Sequence, residues 1–165
     1  MAKRKATSKP RYVKGSQVEM TQLVLPNDTN QLGNLLGGRL MEWMDIAAAI
    51  SAQRHSNRIC VTAGVDDLVF HQPIRLGEVV TLYASVNRAF GSSMEVGVHV
   101  KTENQLTGDR RTANTAYLTF VAVDDRTMPV TIPAIIPQNK DEKRRYKEAL
   151  NRRNIRLQRR KSSHQ

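Results

Sequence analysis

Cysteine is nearly absent from these 165 residues: Cys60 stands alone, so no internal disulfide can form. A reducing, cytoplasmic setting is the expectation. Long apolar runs are missing as well. None reaches the length of a bilayer crossing, and no apolar stretch follows the basic N-terminal residues as a secretory leader requires. Aromatics make up only 5% of the chain and do not interleave with the basic residues as base-stacking platforms would. There is no glycine-rich phosphate loop and no strand-to-helix nucleophile elbow. His55, His71, His99 and His164 have no metal-ligand spacing with Cys60 or with one another. Transmembrane proteins, disulfide scaffolds, phosphate-loop enzymes and zinc enzymes are thereby excluded.

What the chain does have is charge, unevenly placed. The net charge is +11. Residues 1–15 carry +6, residues 138–165 carry +8, and residues 16–137 carry −3. The basic character lives at the two ends, and the body between them is mildly acidic. Reading the total as a nucleic-acid binder would mistake the ends for the domain, so nucleic acid is not an expected partner. The length suits one domain. The expected division is a basic disordered tail over 1–15, one domain over 16–137 and a basic helical extension over 138–165.

Within the domain, apolar and polar residues alternate over 18–25, which suits a first strand. Residues 26–30 are turn and cap formers. Residues 35–54 read as a long helix of good helix formers, apolar around most of its circumference and therefore buried. After it the period changes to two, with strands over 60–70, 80–86, 94–100 and 116–122, each bounded by Gly, Asn, Asp or Ser. Three prolines over 127–137 end the domain. Residues 140–161 read as a solvent-facing helix docked by at most a thin apolar stripe. The sum is an α+β domain, one long helix wrapped by five or six antiparallel strands. One helix leaves part of such a sheet uncovered, so partner subunits are expected to cover it.

Two residues stand out chemically. Asp45 sits amid an apolar helix, where a buried carboxylate is costly unless paired. It also steps by three from Arg39 and Glu42, which a solvated stripe would explain equally well. Asn34 precedes Gly37, Gly38 and the helix. It suits a helix cap, or a site in which free N–H groups at the helix start hold an oxyanion.

The stretch from Pro26 through Asp28, Asn30, Gly33, Asn34, Gly37, Gly38, Met41 and Trp43 to Asp45 resembles the signature of the hotdog-fold acyl-CoA thioesterases. The bacterial YciA-like enzymes and the mammalian cytosolic acyl-CoA hydrolases are the similar group. Weaker matches follow in order through Arg54-His55, Val61-Thr62, Phe70 with Pro73, Gly91 to Val96 and Phe120 to Val123. The resemblance implies a curled antiparallel sheet around a central helix, paired into dimers and often assembled as a trimer of dimers. It implies hydrolysis of acyl-CoA to a free acid and CoA without a metal or organic cofactor. Carried over by position, Asp45 is the catalytic base or nucleophile and Asn34 a catalytic asparagine. Each site pairs Asn34 of one subunit with Asp45 of the other. Gly37 and Gly38 hold the thioester oxygen, and Thr62 lines the site. Ser92 and Ser93 lie at the turn near the CoA nucleotide. Arg54 and His55 match too, although a helix C-cap explains them as well. Where a related pattern has arginine before the paired serines this chain has Gly91, and Arg88 stands in as the phosphate contact. The alternatives are a hotdog acyl-CoA binding or sensor protein, and an acyl-thioester hydratase, which would need a histidine paired with an acid.

Overall fold

Period-two alternation becomes a sheet because successive strand side chains point to opposite faces. The structure, a computed structural model, describes residues 9–66 and 68–162. In chain order the elements are β1 (Arg11–Tyr12), β2 (Val18–Leu23), α1 (Gly37–Ser56), β3 (Ile59–Val65), β4 (Val79–Phe90), β5 (Ser93–Glu103), β6 (Arg110–Val123), β7 (Ile135–Ile136) and α2 (Lys140–Ser162). Short 3-10 turns lie at Val13–Ser16 and Pro26–Asp28. Val80, Leu82, Ala84 and Val86 of β4 share a buried face with Met94, Val96, Val98 and Val100 of β5 and with Ala116, Leu118, Phe120 and Ala122 of β6. Gly91 and Ser92 join β4 to β5, and Gly91 takes a φ of 70°, which glycine adopts without a Cβ penalty.

The five-stranded antiparallel sheet runs β2-β4-β5-β6-β3. Against its apolar face lies α1, through Leu40, Trp43, Met44, Ala47, Ala48, Ser51 and Ala52, a stripe at helical spacing. This is the hotdog fold that the resemblance implied. The helix is not apolar-buried all round, however. Met41, Ile46 and Ile50 remain 43%, 43% and 39% exposed on its outer side. Strand β3 is an open edge; its Val65 is exposed on the helix side near Met41, and its Ile59 and Val61 are exposed on the opposite face of the sheet.

Several boundaries differ from those expected. β3 ends at Val65 rather than running to residue 70. After one more rung, Asp66 N–H to Tyr117 O, the chain leaves the sheet and is held instead by the Asn114 amide donating to Val69 O. The prolines over 127–137 do not simply end the domain. They lead into β7, which pairs in parallel with β1. The basic N-terminal segment, expected as a tail through residue 15, therefore enters the fold; residues 1–8 lie outside the described residues. Arg11 pairs with Ile135, and its guanidinium donates to the carbonyls of His55 and Arg54 at the end of α1. A cation there complements the helix dipole. Val13 is buried, and the buried Ser16 hydroxyl accepts from Val86 N–H.

The largest departure is α2. It docks through charge as well as through the thin apolar stripe expected, in which Ala149 is fully buried and Tyr146 packs against the core. Glu95 of β5 has no exposure, yet it accepts from Arg152 at 2.7 Å and from the Asn87 amide at 3.0 Å. Arg156 bridges Asp66 at 2.6 Å and Glu95 at 3.5 Å. Arg152 stacks on Tyr117 and Arg88 on Tyr146. The start of α2 is fixed by a capping box: Asn139 Oδ1 accepts from Glu142 N–H while the Glu142 carboxylate accepts from Asn139 and Gln138 N–H.

Candidate active site

Asp45 lies on the outer side of α1, half-buried, two turns into the helix. Its Oδ1 accepts a 2.7 Å hydrogen bond from the Thr62 hydroxyl on β3. The solvated-stripe reading fits Arg39 and Glu42, which pair with each other, Arg39 also reaching Asp28. It does not fit Asp45, which joins no ion pair among the described residues. The carboxylate opens into a cleft of about 350 Å³ walled by Gly38, Met41, Met44, Val65, Leu68 and Leu118. One carboxylate held by one hydroxyl in an apolar cleft leaves its second oxygen for a water or a substrate carbon.

Asn34 is not a helix cap. The N-cap position is Leu36, and no side chain caps the start of α1. Asn34 sits two residues earlier in extended backbone paired with Arg75. The N–H groups of Gly37 and Gly38 consequently find no acceptor among the described residues, and the helix dipole leaves them electropositive. The loop before the helix is braced by the buried Asp28, whose carboxylate accepts from Leu25 N–H and pairs with Arg39.

That loop also places Asn30, which sequence reading treated as a turn residue. Its Oδ1 accepts from Leu32 N–H at 3.0 Å and from Asn34 N–H at 3.2 Å. With the oxygen occupied twice, the amide orientation is fixed and its NH2 has no acceptor among the described residues. Asn30 and Asn34 line one cleft of about 310 Å³ with Gly37, Phe70, His71 and Pro73. Two asparagines in one turn were the signal available in the sequence. Among the described residues His71 has no acidic partner bonded to it.

Gly37 faces the asparagine cleft and Gly38 the Asp45 cleft, so the helix start separates the two. Within one chain neither asparagine touches Asp45. Thr62 is brought to Asp45 as expected. Ser93 lies in a small cleft beside α2, and Ser92 is half-buried in the hairpin turn next to it. Arg88, Arg54 and His55 are engaged elsewhere. Arg88 is covered by α2 and donates to Tyr146 O. Arg54 donates to Gln17 O, and the buried His55 meets Pro133 O through Nε2 at 2.8 Å. Both lie about 25 Å along the helix from Gly38, and neither lines a site cleft. The C-cap is Asn57, left-handed at φ 53°. A cleft of about 780 Å³ lies on the outer sheet face under the first turns of α2, away from both Asp45 and the asparagines. Among the described residues no cluster of His, Cys, Asp and Glu is placed to hold a metal ion, and no helix is long and apolar enough to cross a membrane.

A thioesterase superfamily model matches residues 32–108. The uncharacterized acyl-CoA thioester hydrolase YkhA of Bacillus subtilis is 41% identical over 157 residues, 95% of this chain and 91% of that protein. Mouse acyl-coenzyme A thioesterase 11 is 42% identical over 88% of this chain, which spans only 24% of that protein's length. Among solved structures, an acyl-CoA hydrolase from Bacillus cereus matches with a TM-score of 0.90 at 36% identity, covering 94% of this chain and 95% of that one. A hexameric acyl-CoA thioesterase matches at 0.87 and 38%, covering 91% and 97%. An acyl-CoA hydrolase from Staphylococcus aureus, solved with butyryl-CoA, CoA and CoA disulfide, matches at 0.87 and 35%, covering 94% and 95%. That enzyme has also been solved with an aspartate, an asparagine or a threonine replaced by alanine. The asparagine stands fifteen residues before the aspartate, and the threonine seventeen after it.

Proposed function

Because this chain belongs to the hotdog acyl-CoA thioesterases, we propose that it hydrolyses acyl-CoA to a free carboxylic acid and CoA at a site completed by a second copy of itself. The observation that carries this reading is the Thr62–Asp45 hydrogen bond in an apolar cleft at an uncapped helix start. The thioester oxygen lies against the free N–H groups of Gly37 and Gly38, which stabilise the negative charge that grows there. Asp45 removes a proton from a water as it attacks the carbonyl carbon, or attacks the carbon itself to give an anhydride that water then opens. Either way the C–S bond breaks, the thiolate leaves and takes a proton, and one water is consumed. The reaction needs no cofactor beyond the CoA already present in the substrate.

The asparagine partner is best assigned to Asn30. It stands fifteen residues before Asp45, as Thr62 stands seventeen after it, the spacings of the three residues replaced in the Staphylococcus aureus enzyme. Its doubly held oxygen presents the NH2 as a fixed donor. Asn34 lacks such an anchor and shapes the same cleft. The donor reaches Asp45 of the opposite subunit when two β3 edges join and Met41, Ile46 and Ile50 are covered. Three such dimers make the expected hexamer. A single free thiol at Cys60 accords with a cytoplasmic location.

The test is release of CoA thiol across acyl chains from acetyl to palmitoyl. The expected result is turnover with a chain-length optimum that Asp45→Ala reduces by a factor of about 10² or more with the oligomer intact. Asn30→Ala is expected to lower kcat more than Asn34→Ala. Hydration of crotonyl-CoA with no thiol release would instead make His71 and a hydratase the better reading.

A further inference from the structure

The core-facing row of β6 runs Asn114, Ala116, Leu118, Phe120 and Ala122, and its first member is polar. Asn114 lies opposite Val100 of β5 and is only 3% exposed. A buried amide is costly unless both of its ends are bonded. Here one end is. The Asn114 NH2 donates to Val69 O, while Oδ1 has no partner among the described residues. Leucine has the same branched heavy-atom shape and would leave no polar atom unpaired. The bond to Val69 is what distinguishes the amide from it.

Val69 belongs to residues 68–73, which run from beyond the end of β3 to the bridge at Arg75. Among the described residues these six make no backbone-to-backbone hydrogen bond. Side chains of β6 hold them instead. Asn114 takes the Val69 carbonyl, and Arg111 donates to Gln72 Oε1 at 3.0 Å and to Pro73 O at 2.6 Å. Leu68 reaches the Asp45 cleft, and Phe70 and His71 reach the asparagine cleft. One segment with no ladder of its own thus walls both clefts.

Phe70 is the most closely placed of these residues. Its ring lies on Gly37, where an added Cβ would stand 3.3 Å from the nearest ring carbon. Gly37 carries one of the two N–H groups assigned above to the thioester oxygen. An apolar ring against that residue keeps water from one side of the donor. An N–H acts more strongly on a developing charge where water is excluded. The Val69 carbonyl belongs to the planar peptide from which Phe70 departs, so fixing that carbonyl fixes the start of the ring's path.

We propose that Asn114 is a positioning residue: by holding the Val69–Phe70 peptide it sets the Phe70 ring against Gly37 at the start of α1. The consequence for turnover rests on the thioesterase reading. Asn114 itself stays in the core and touches no substrate.

The experiment compares wild type with Asn114→Leu, which keeps the shape and removes the donor. Expected is a kcat for acyl-CoA lowered about tenfold or more, a KM within about twofold, and a urea midpoint no lower than that of wild type. Phe70→Ala should lower kcat by a similar factor, and the double variant no further, because both changes remove one placement. Asn114→Ser, too short to reach Val69 O, gives the same comparison if the leucine variant does not fold. A lowered midpoint with kcat unchanged makes Asn114 a packing residue and overturns the proposal. So do losses that multiply in the double variant. Hydrogen exchange reads the placement without turnover. Amides of residues 68–73 and of Gly37 should exchange faster in both Asn114→Leu and Phe70→Ala, with those of β5 unchanged. If wild type hydrolyses no acyl-CoA while exchange at Gly37 responds to both substitutions, the thioesterase reading fails and the placement stands. Exchange at Gly37 that ignores Asn114→Leu removes the placement.

Discussion

Asp45 shows how one residue acquires a role from the partner that reaches it. Its helix neighbours Arg39 and Glu42 satisfy each other, and the Thr62 hydroxyl comes from a strand seventeen residues later. The sequence made Asp45 conspicuous because a carboxylate in an apolar helix demands an explanation. It offered less help with Asn30, whose value lies in two backbone N–H groups that occupy its oxygen, a product of loop geometry rather than of residue type. His55 teaches the opposite lesson. Its neighbourhood to Arg54 looked functional, yet the imidazole is a buried brace. Its Nε2 donates to Pro133 O, and Nδ1 has no partner among the described residues. Burial, with a smaller part from Arg11, holds its pKa below the usual histidine range. The unfolded chain therefore binds the proton more readily than the folded one. Stability is fully present above the unfolded value of about 6.5 and falls below it, by at most about 1.4 kcal/mol per pH unit, until the folded pKa is passed. Urea unfolding between pH 5 and 8 checks this. His55→Gln should flatten the slope, leaving a residual from His99, which burial and Lys101 also hold low.

At the scale of elements, the period-two strands and the central helix were legible because apolar spacing alone specifies which face is buried. The C-terminal helix was legible as a helix but not as part of the body. Its partner Glu95 alternates with Met94 and Val96, as any outward-facing polar residue would, and alternation cannot distinguish a solvated face from one covered by arginines. The same limit hid β1 and β7, two-residue strands too short to carry a period. Burying Glu95 makes α2 docking sensitive to its counter-ions. Arg152→Met should destabilise the protein by about 2 kcal/mol or more, since it leaves a fully buried carboxylate with only Arg156 and Asn87. A lower urea midpoint together with faster trypsin cleavage within α2 is the expected signature. An unchanged midpoint would mean that the ion pairs contribute nothing to docking.

At the scale of the whole molecule, the proposed site is incomplete in a single chain. The sheet's β3 edge is open, Met41 of α1 and Val65 of β3 are exposed near each other, and the Asn30 and Asp45 clefts stand apart on either side of the helix start. The need for covering partners was readable from the count of elements, one helix against five strands. Which residues meet across the interface was not, because that depends on a second chain. Replacing Val61 with aspartate should place a charge on the joining edge, dissociate the dimer and abolish thiol release together. Size-exclusion chromatography and the assay on one preparation read both.

Mixing two inactive variants tests the central claim most directly. Asp45→Ala and Asn30→Ala subunits, co-expressed in equal amounts, form hybrid dimers in which one site has both residues and the other neither. The account predicts that acyl-CoA hydrolysis returns to about a quarter of the wild-type rate in a random mixture, while each variant alone stays inactive. A mixture of proven hybrids as inactive as its parents would contradict it, and would place both residues of a working site within one chain.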